Sequence, residues 1–512
     1  MSMSHKDASR FLERATFGPR KEEIDTVKDI GINSWLDGQF SHEPSFHYER
    51  YRFIQDYRAS VNGSKQEHWN YRINAWWDIA LKSQDQLRQR VAFALSQLVV
   101  VSQRDPGLAA KNQAAGLAKY YDILVRNAFG SYADLLKEVS RSSPMGVFLT
   151  IDGNIPPSET SIPDQNYARE LMQLFTLGDW QVDIEGNFIR DQNGGLITSH
   201  SQEDIEALAR VFTGWKVKDS TLISDMVVNE NDHDQNEKLW LGHTMPAGVS
   251  AEEEMEYVVE RLIEQTETAV LVSKHLIKHL VTSNPSRAYV GRVASVFQNS
   301  LGDLEQVIEA ILTDSECLSE EVTTRKAKEP IIAFSSLCRA LNAKMGANYP
   351  HHRDTGIGFG YLDQYSPNRP TKQGALMAPT VFNFYDPDYA PLGAINDQGL
   401  IAPEFEIMSG NDLTQYGNLL NDKIKNAVRD GDTVSKSDKY LYLDITPFID
   451  LYESEKADLF LAEVNDTFYN GSMRSETYDY VNEAMNSYGF NRDNCWKIIW
   501  LVAMSPEFNV QG

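Results

Sequence analysis

The sequence has few cysteines and no long apolar run, and these two features exclude several classes of protein. Its 512 residues include only 3 cysteines, too far apart for a CxxC zinc or redox motif. So few cysteines also exclude a disulfide scaffold. No segment approaches the ~18 apolar residues of a membrane-spanning helix, and the N-terminus has no apolar signal-peptide segment. We therefore expect no membrane insertion and a cytoplasmic location for the chain as written, or export if the sequence is a trimmed form.

Positive charge is also scarce. The chain has 48 lysines and arginines against 73 aspartates and glutamates, which gives a formal net charge of -25. Attraction to phosphates is the main sequence-independent force in nucleic-acid binding, so we expect no nucleic-acid partner. Apolar residues make up 42% of the chain, enough for a packed core rather than a disordered polymer.

The familiar catalytic motifs are missing as well. The sequence has no G-x-S-x-G elbow, no G-x-x-x-x-G-K-[ST] loop and no kinase motif set. The segment 356–360 is rich in glycine, but its spacing differs from that of a nucleotide loop and no βαβ pattern surrounds it. No cofactor is predicted.

Hydrophobic periodicity predicts a mainly α protein, a large multi-helix body with a small β-hairpin excursion around residues 180–245. Within the excursion, Gly186 and Gly194 lie in hairpin-type turn sequences. We divide the chain into an N-terminal helical region, a central helical region with the β excursion, a loop-rich segment and linker, and a C-terminal helical unit: 1–150, 151–345, 346–435 and 436–512.

The most informative stretch is the helix predicted for Asn166–Gly178. Its apolar side chains share one face, and an amide, a guanidinium and a carboxylate share the other, at Asn166, Arg169, Glu170 and Gln173. This polar stripe is either a solvated face or a buried network in which carboxylates hold Arg169. We expect Arg169 and Glu170 to be structural or site-forming, with partners among Glu203, Asp204, His233 and Lys238.

Other polar residues admit two interpretations each. Asp204 has capping-box spacing from Ser201, which favours a helix cap over a catalyst. The loop Asp232, His233 and Asp234 has oxygen and imidazole ligands for a divalent cation if Glu170 or Asp204 approaches. We favour a solvated turn there, so these three residues are only weak metal candidates. His275 and His279 have i, i+4 metal-ligand spacing, but the lysine beside each favours ordinary core or surface histidines.

Several blocks together resemble the bacterial family called domain of unknown function 1800. They occur in the family's order and span nearly the whole chain: 9–19, 166–178, 201–215, 233–242, 326–330, 378–385 and 505–508. Family members usually have Glu at the positions of Gln165 and Gln173, so a metal site on the polar stripe would be weakened here. The resemblance implies a mostly α fold and export, but no established reaction.

The resemblance also implies a partner, because such proteins are often encoded beside an exported sulfatase-like family. We therefore expect a non-catalytic partner or maturation scaffold for a sulfatase-like protein. The alternative is an enzyme of unknown, possibly hydrolytic, reaction with a polar pocket around Arg169, Glu170, Asp204 and His233. The complete candidate polar site is Asn166, Arg169, Glu170, Asp204, His233, Asp234 and Lys238.

Overall fold

The structure is a computed structural model that describes residues 3–65, 67–319, 325–345, 372–425, 427 and 441–512. Helices account for 57% of the described residues and the strands there form only short pairs, which confirms the predicted mainly α fold. The glycine-rich segment 356–360 and much of the predicted linker lie outside the described residues. The division into four regions stays a prediction.

Among the first eleven helices that the structure describes, four start at a side-chain cap. Ser4, for example, accepts a hydrogen bond from the backbone N–H of Asp7 and starts the first helix. The helices are α1 His5–Ala15, α2 Lys21–Ile30, α3 Ile32–Ser41, α4 His47–Asn62, α5 Trp69–Lys82, α6 Gln86–Ser96, α7 Ala114–Arg126, α8 Tyr132–Arg141, α9 Ser143–Phe148, α10 Asn166–Gln173 and α11 Gln202–Val211.

The remaining helices follow the β excursion. They are α12 Ala251–Ile263, α13 Thr266–Leu280, α14 Arg287–Asn299, α15 Leu304–Thr313, α16 Ser315–Leu318, α17 Pro330–Ala340, α18 Ala394–Asp397, α19 Gly410–Lys425, α20 Thr446–Leu451, α21 Ala457–Phe468, α22 Ser475–Tyr488 and α23 Cys495–Met504. None of the described helices is both long enough and apolar enough to cross a bilayer.

The central helix α10 is shorter than the sequence predicts, ending at Gln173 rather than Gly178. Beyond Gln173 the helical turn becomes wider. Phe175 N–H donates to the Glu170 carbonyl, and Leu177 N–H donates to the Met172 carbonyl. These i to i−5 bonds belong to a π-type turn rather than an α-helix. Gly178, with φ of 70°, then leads the chain out of the turn.

Within the described ranges, the strands form four antiparallel pairs, β1 with β2, β3 with β4, β5 with β8, and β6 with β7. Their bounds are β1 Trp215–Lys216, β2 Val227–Val228, β3 Lys238–Trp240, β4 His243–Met245, β5 Lys326–Ala327, β6 Lys344–Met345, β7 Leu441–Tyr442 and β8 Val510–Gln511. The first two pairs confirm the predicted excursion. The other two lie outside it and join parts of the chain that are far apart in sequence.

The excursion begins with a meander over residues 179–199. Asp183 and Asp191 each open a tight turn, since their carbonyls accept hydrogen bonds from Gly186 N–H and Gly194 N–H. Both glycines have positive φ, 77° and 84°, as this type of turn requires. Isolated bridges such as Val182 to Phe188 connect the three extended segments. The predicted hairpin turns are therefore confirmed.

One large hydrophobic core runs through the described helices, with members from α1 to α23. Cys317, Cys338 and Cys495 are all buried. Gly18, which follows α1, lies against α17 so closely that a Cβ on it would overlap Cα of Ser336. The turn after α1 therefore requires glycine for space as well as for its φ of 127°.

Gly18→Ala should destabilise the protein by about 1–3 kcal/mol more than Gly31→Ala, because only the first substitution forces overpacking. Gly31 is the matched control, since its φ is also positive, at 83°, and no atom lies within 4 Å of an added Cβ. Denaturant unfolding of both variants measures the difference. Equal losses would mean that α17 moves aside at no cost.

Candidate functional site

The polar stripe of α10 meets the start of α11. Arg169 is half-buried, and its Nη2 lies 3.4 Å from Oε1 of Gln165 and 3.4 Å from Oε1 of Gln202. Gln202 Nε2 also donates to Gln165 Oε1 at 2.9 Å. The expectation that a carboxylate holds Arg169 is therefore wrong, and amides take that place. Asn166 is exposed and donates to Oγ1 of Thr150 at 3.1 Å.

Glu170 is the most buried carboxylate of the stripe, with 9% of its surface exposed. Its Oε2 is buried and has no hydrogen-bond partner among the described residues. Burial raises the pKa of Glu170; the charge of Arg169 opposes this shift and that of Asp179 adds to it. Asp179 and Arg169 also act on His200, whose pKa is lowered mainly by burial. Such an environment is typical of functional carboxylates, but also of structural ones.

Asp204 is a helix cap, as predicted. Its Oδ2 accepts hydrogen bonds from the backbone N–H and the hydroxyl of Ser201, both at 2.8 Å, in a capping box at the start of α11. Its Oδ1 accepts a third, at 2.7 Å, from Leu241 N–H in the turn between β3 and β4. One carboxylate therefore starts a helix and fixes the adjacent hairpin.

His233 and Lys238 lie in a buried ionic network centred on Glu254 of α12. Nζ of Lys238 is 2.7 Å from Oε1 of Glu254, and Nε2 of His233 is 3.3 Å from Oε2. Lys238 also donates to the carbonyls of Asp234 and Asn236, so its ammonium has three acceptors. The solvated turn expected here is wrong, because His233 and Asp234 are 4% and 2% exposed.

The acidic residues beside His233 bind cationic side chains. Asp234 Oδ2 is 2.6 Å from Nε of Arg210, and Asp232 pairs with Lys216. Arg210 and Asn236 lower the pKa of Asp234 to about 2 against the opposing effect of burial. In the described part of the chain, no three His, Cys, Asp or Glu side chains are placed to hold a metal ion together.

Asn166 contacts Thr150 and stands apart from the other candidates. The remaining six candidate residues form two groups along α11. Asp204 lies near its start with Arg169 and Glu170, whereas Arg210 lies six residues further on with His233, Asp234 and Lys238. Six helical residues correspond to about 9 Å along the axis. The sequence analysis did not identify Glu254 or Arg210. Glu254 lies in an acidic run at the start of α12, and nothing in the sequence pattern distinguishes it from its neighbours.

The sequence analysis also missed a second buried polar cluster, around Glu329. Glu329 directly precedes α17, and its Oε2 accepts a hydrogen bond from Nε2 of Gln97 at 2.9 Å and another from Gln373. Its Oε1 lies 3.5 Å from Nδ1 of His279. Asn383 donates to Oε1 of Gln97 at 2.9 Å. Glu329 and Asn383 belong to blocks 326–330 and 378–385, noted for their resemblance but not for their chemistry.

Two lysines beside Glu329 are equally buried. Lys326 Nζ is 3.1 Å from Oε1 of Glu404, and Lys328 Nζ is 2.8 Å from Oε1 of Glu13 in α1. Burial opposes the charge of Glu329, but His279, Lys326 and Arg90 together hold its pKa below the ordinary value. The segment 326–329 is therefore a compact set of compensated buried charges.

His275 and His279 lie side by side in α13, with ring centroids 4.3 Å apart. Nε2 of His275 lies 2.9 Å from the carbonyl of Ala94 in α6. Burial lowers the pKa of both histidines. His279 lowers the pKa of His275 further, whereas Glu329 partly opposes the shift of His279. The pair is part of the core, in agreement with the sequence analysis.

The comparisons with known proteins give one match. A family model described as Protein of unknown function (DUF1800) matches residues 10–510, nearly the whole chain, which confirms the resemblance seen in the sequence blocks. No curated protein and no solved structure matches the chain.

Lys238→Ala should cost about 3–5 kcal/mol of stability, because Glu254 is left buried beside His233 without its ammonium partner. Arg169→Ala should cost about 0–1 kcal/mol, because Arg169 is half-buried and pairs with amides only. Chemical denaturation of both variants tests this contrast. If both variants lost a similar free energy of unfolding, Lys238 would not be the more important structural cation of the two.

Stability should fall as the pH drops below about 6.5, the ordinary histidine pKa. The folded protein holds His275 and His279 with lowered pKa values, so below pH 6.5 the unfolded chain binds more protons and is favoured. His279→Gln should reduce the loss of melting temperature between neutral and acidic pH. His42→Gln, at the end of α3, is the control and should leave the pH profile unchanged. If the melting temperature of His279→Gln changed with pH as that of wild type does, His279 would be excluded as a source of the pH dependence.

Proposed function

Because the chain belongs to the family described as Protein of unknown function (DUF1800), we propose that it is a non-catalytic partner or maturation scaffold for an exported sulfatase-like protein. The proposed role is to bind that partner on a rigid helical body. It requires no cofactor and no contact with nucleic acid or a membrane.

The exposed meander over residues 179–199 is the observation that carries this proposal. Trp180, Phe188 and Ile189 are 38%, 54% and 39% exposed, although they lie within 10 residues of one another. Val182 and Ile184 of the same segment pack against the hydrophobic core and anchor it. Exposed aromatic side chains on an anchored support are typical of protein-binding surfaces, where Trp and Phe are enriched.

The surroundings of these apolar side chains also suit a protein interface. Asp179, Asp183, Asp191 and Arg190 are exposed around the meander. The carboxylate of Asp183 caps its own turn by accepting hydrogen bonds from Glu185 N–H and Asn187 N–H. An apolar centre with a polar rim is the usual layout of a binding patch.

The candidate polar residues favour a structural role over an open pocket. Asp204 caps α11, and His233 and Lys238 are enclosed with Glu254. The described part of the chain has clefts of about 500 and 480 Å³, and none of the candidate polar residues lines either of them. The family-like blocks around α11 therefore supply rigidity to the body that carries the meander.

One observation favours the alternative, an enzyme of hydrolytic type. Glu170 combines burial, a raised pKa and an unpartnered Oε2 in the described part, and the charges of Arg169 and Asp179 act on it. A carboxylic acid of raised pKa is a suitable general acid or base near neutral pH. In that role Glu170 would exchange the proton, while Arg169 would orient an anionic group.

Replacing Trp180 and Phe188 together by alanine should weaken binding of the proposed sulfatase-like partner by at least about tenfold. Loss of two central aromatic contacts typically has this effect or a larger one. Phe53→Ala in α4 is the matched control, because Phe53 is 52% exposed and Phe188 54%. Calorimetric titration of the purified partner into wild type and both variants measures the affinities.

Equal affinity of the double variant and the Phe53→Ala control would contradict the proposed binding face. Absence of any complex with wild type would contradict the scaffold role itself. Hydrolysis of chromogenic ester substrates by wild type, abolished in Glu170→Gln without loss of folding, would establish the enzymatic alternative.

A further inference from the structure

A cleft of about 500 Å³ opens where the first helix, β5 and the last strand meet. Its walls come from α1, β5, the segment 395–405, the end of α21 and β8. This volume lies within the range of small-molecule sites in proteins. The cleft is remote in sequence from the candidate residues of α10 and α11 and from the meander.

Two arginines at this cleft have no anionic partner among the described residues. Arg325 lines the cleft, and its Nε is buried without a hydrogen-bond partner in that part of the chain. Arg14 is fully buried; its Nη1 donates to the carbonyl of Cys317, but Nε and Nη2 have no partner there. A guanidinium removed from water is costly unless an anion or acceptor compensates it.

Both arginines approach the cleft at Gly512, which lines it. A Cβ placed on Gly512 would lie 3.4 Å from Nη2 of Arg14 and 3.3 Å from Cγ of Arg325. The two positive charges therefore converge on one end of the cleft. Arg325 can contact a ligand there directly, and Arg14 adds its charge from behind.

The other charges that line the cleft are largely compensated. Lys326 pairs with Glu404, and Glu13 with Lys328. Lys6 and Arg10 also have partners. Arg474 on the rim is 62% exposed and lies 4.0 Å from Glu507. This ion pair is solvent-exposed and long, so it compensates the charge of Arg474 only weakly.

The remaining lining is apolar. Leu400, Phe405 and Phe468 contribute aliphatic and aromatic surface beside the arginines, and Phe405 is 39% exposed. Such a wall excludes water from part of a ligand and strengthens charge-assisted hydrogen bonds nearby. The cleft therefore has one cationic end and one apolar wall.

We propose that this cleft binds an organic anion, a single carboxylate, sulfate or phosphate group carried on an apolar or aromatic body. The anionic group lies against Arg325, within the field of Arg14, and the apolar body lies along Phe405 and Phe468. This site is separate from the proposed partner-binding face, so each can be tested without the other.

The test is calorimetric titration of the full chain with 4-phenylbutyrate and with its neutral analogue 4-phenylbutan-1-ol. The acid should bind at least about tenfold more tightly than the alcohol, since only the acid forms a charge-assisted pair with Arg325. Arg325→Gln should weaken binding of the acid by at least about tenfold and leave that of the alcohol unchanged. Phenyl phosphate, tested in parallel, distinguishes a phosphate site from a carboxylate site.

Arg492→Gln is the matched control, because Arg492 is 54% exposed and pairs with Asp450 away from the cleft. It should bind the acid as wild type does. If Arg325→Gln does not fold, Arg474→Gln on the rim provides the test and should weaken binding of the acid severalfold. Equal binding of acid and alcohol, or wild-type affinity in the folded arginine variant, would overturn the proposal.

Discussion

Three buried charges within four consecutive residues hold distant parts of this chain together. Lys328 pairs with Glu13 in α1, Lys326 with Glu404 in the segment before α19, and Glu329 accepts hydrogen bonds from Gln97 and Gln373. An isolated buried charge is so unfavourable that each partner must be in place when the core closes. The positions of α1, α6 and the 372–407 segment relative to α17 therefore depend on this short stretch.

Local physics made part of the structure predictable. Gly186 and Gly194 follow aspartates at the spacing of tight turns, and both adopt the positive φ that the turns require. Ser201 and Asp204 form the capping box that their spacing indicates. In each case the relevant partners lie within a few residues, so the sequence contains the whole interaction.

The burial of polar groups was not predictable, because it depends on partners far along the chain. Nothing near His233 indicates that Glu254 would face it, since Glu254 is one of three consecutive glutamates and its neighbours are solvated. Arg169 shows the converse. Its helix face suggested ionic partners, but Gln165 and Gln202 are the nearest acceptors, and their amides offer only neutral contacts.

The pairing of β5 with β8 has a consequence for the order in which the protein can form. Ala327 pairs with Val510, and the side chain of Gln511 donates to the carbonyl of Leu280. Residues near the middle of the chain therefore contact residues made about 180 to 230 positions later. During synthesis on the ribosome, the exposed edge at Lys326 must wait for this last strand. Such long-range closure slows folding and leaves an unpaired edge open to association meanwhile. A chaperone that shields this edge during translation would therefore protect the nascent chain at its most vulnerable stage.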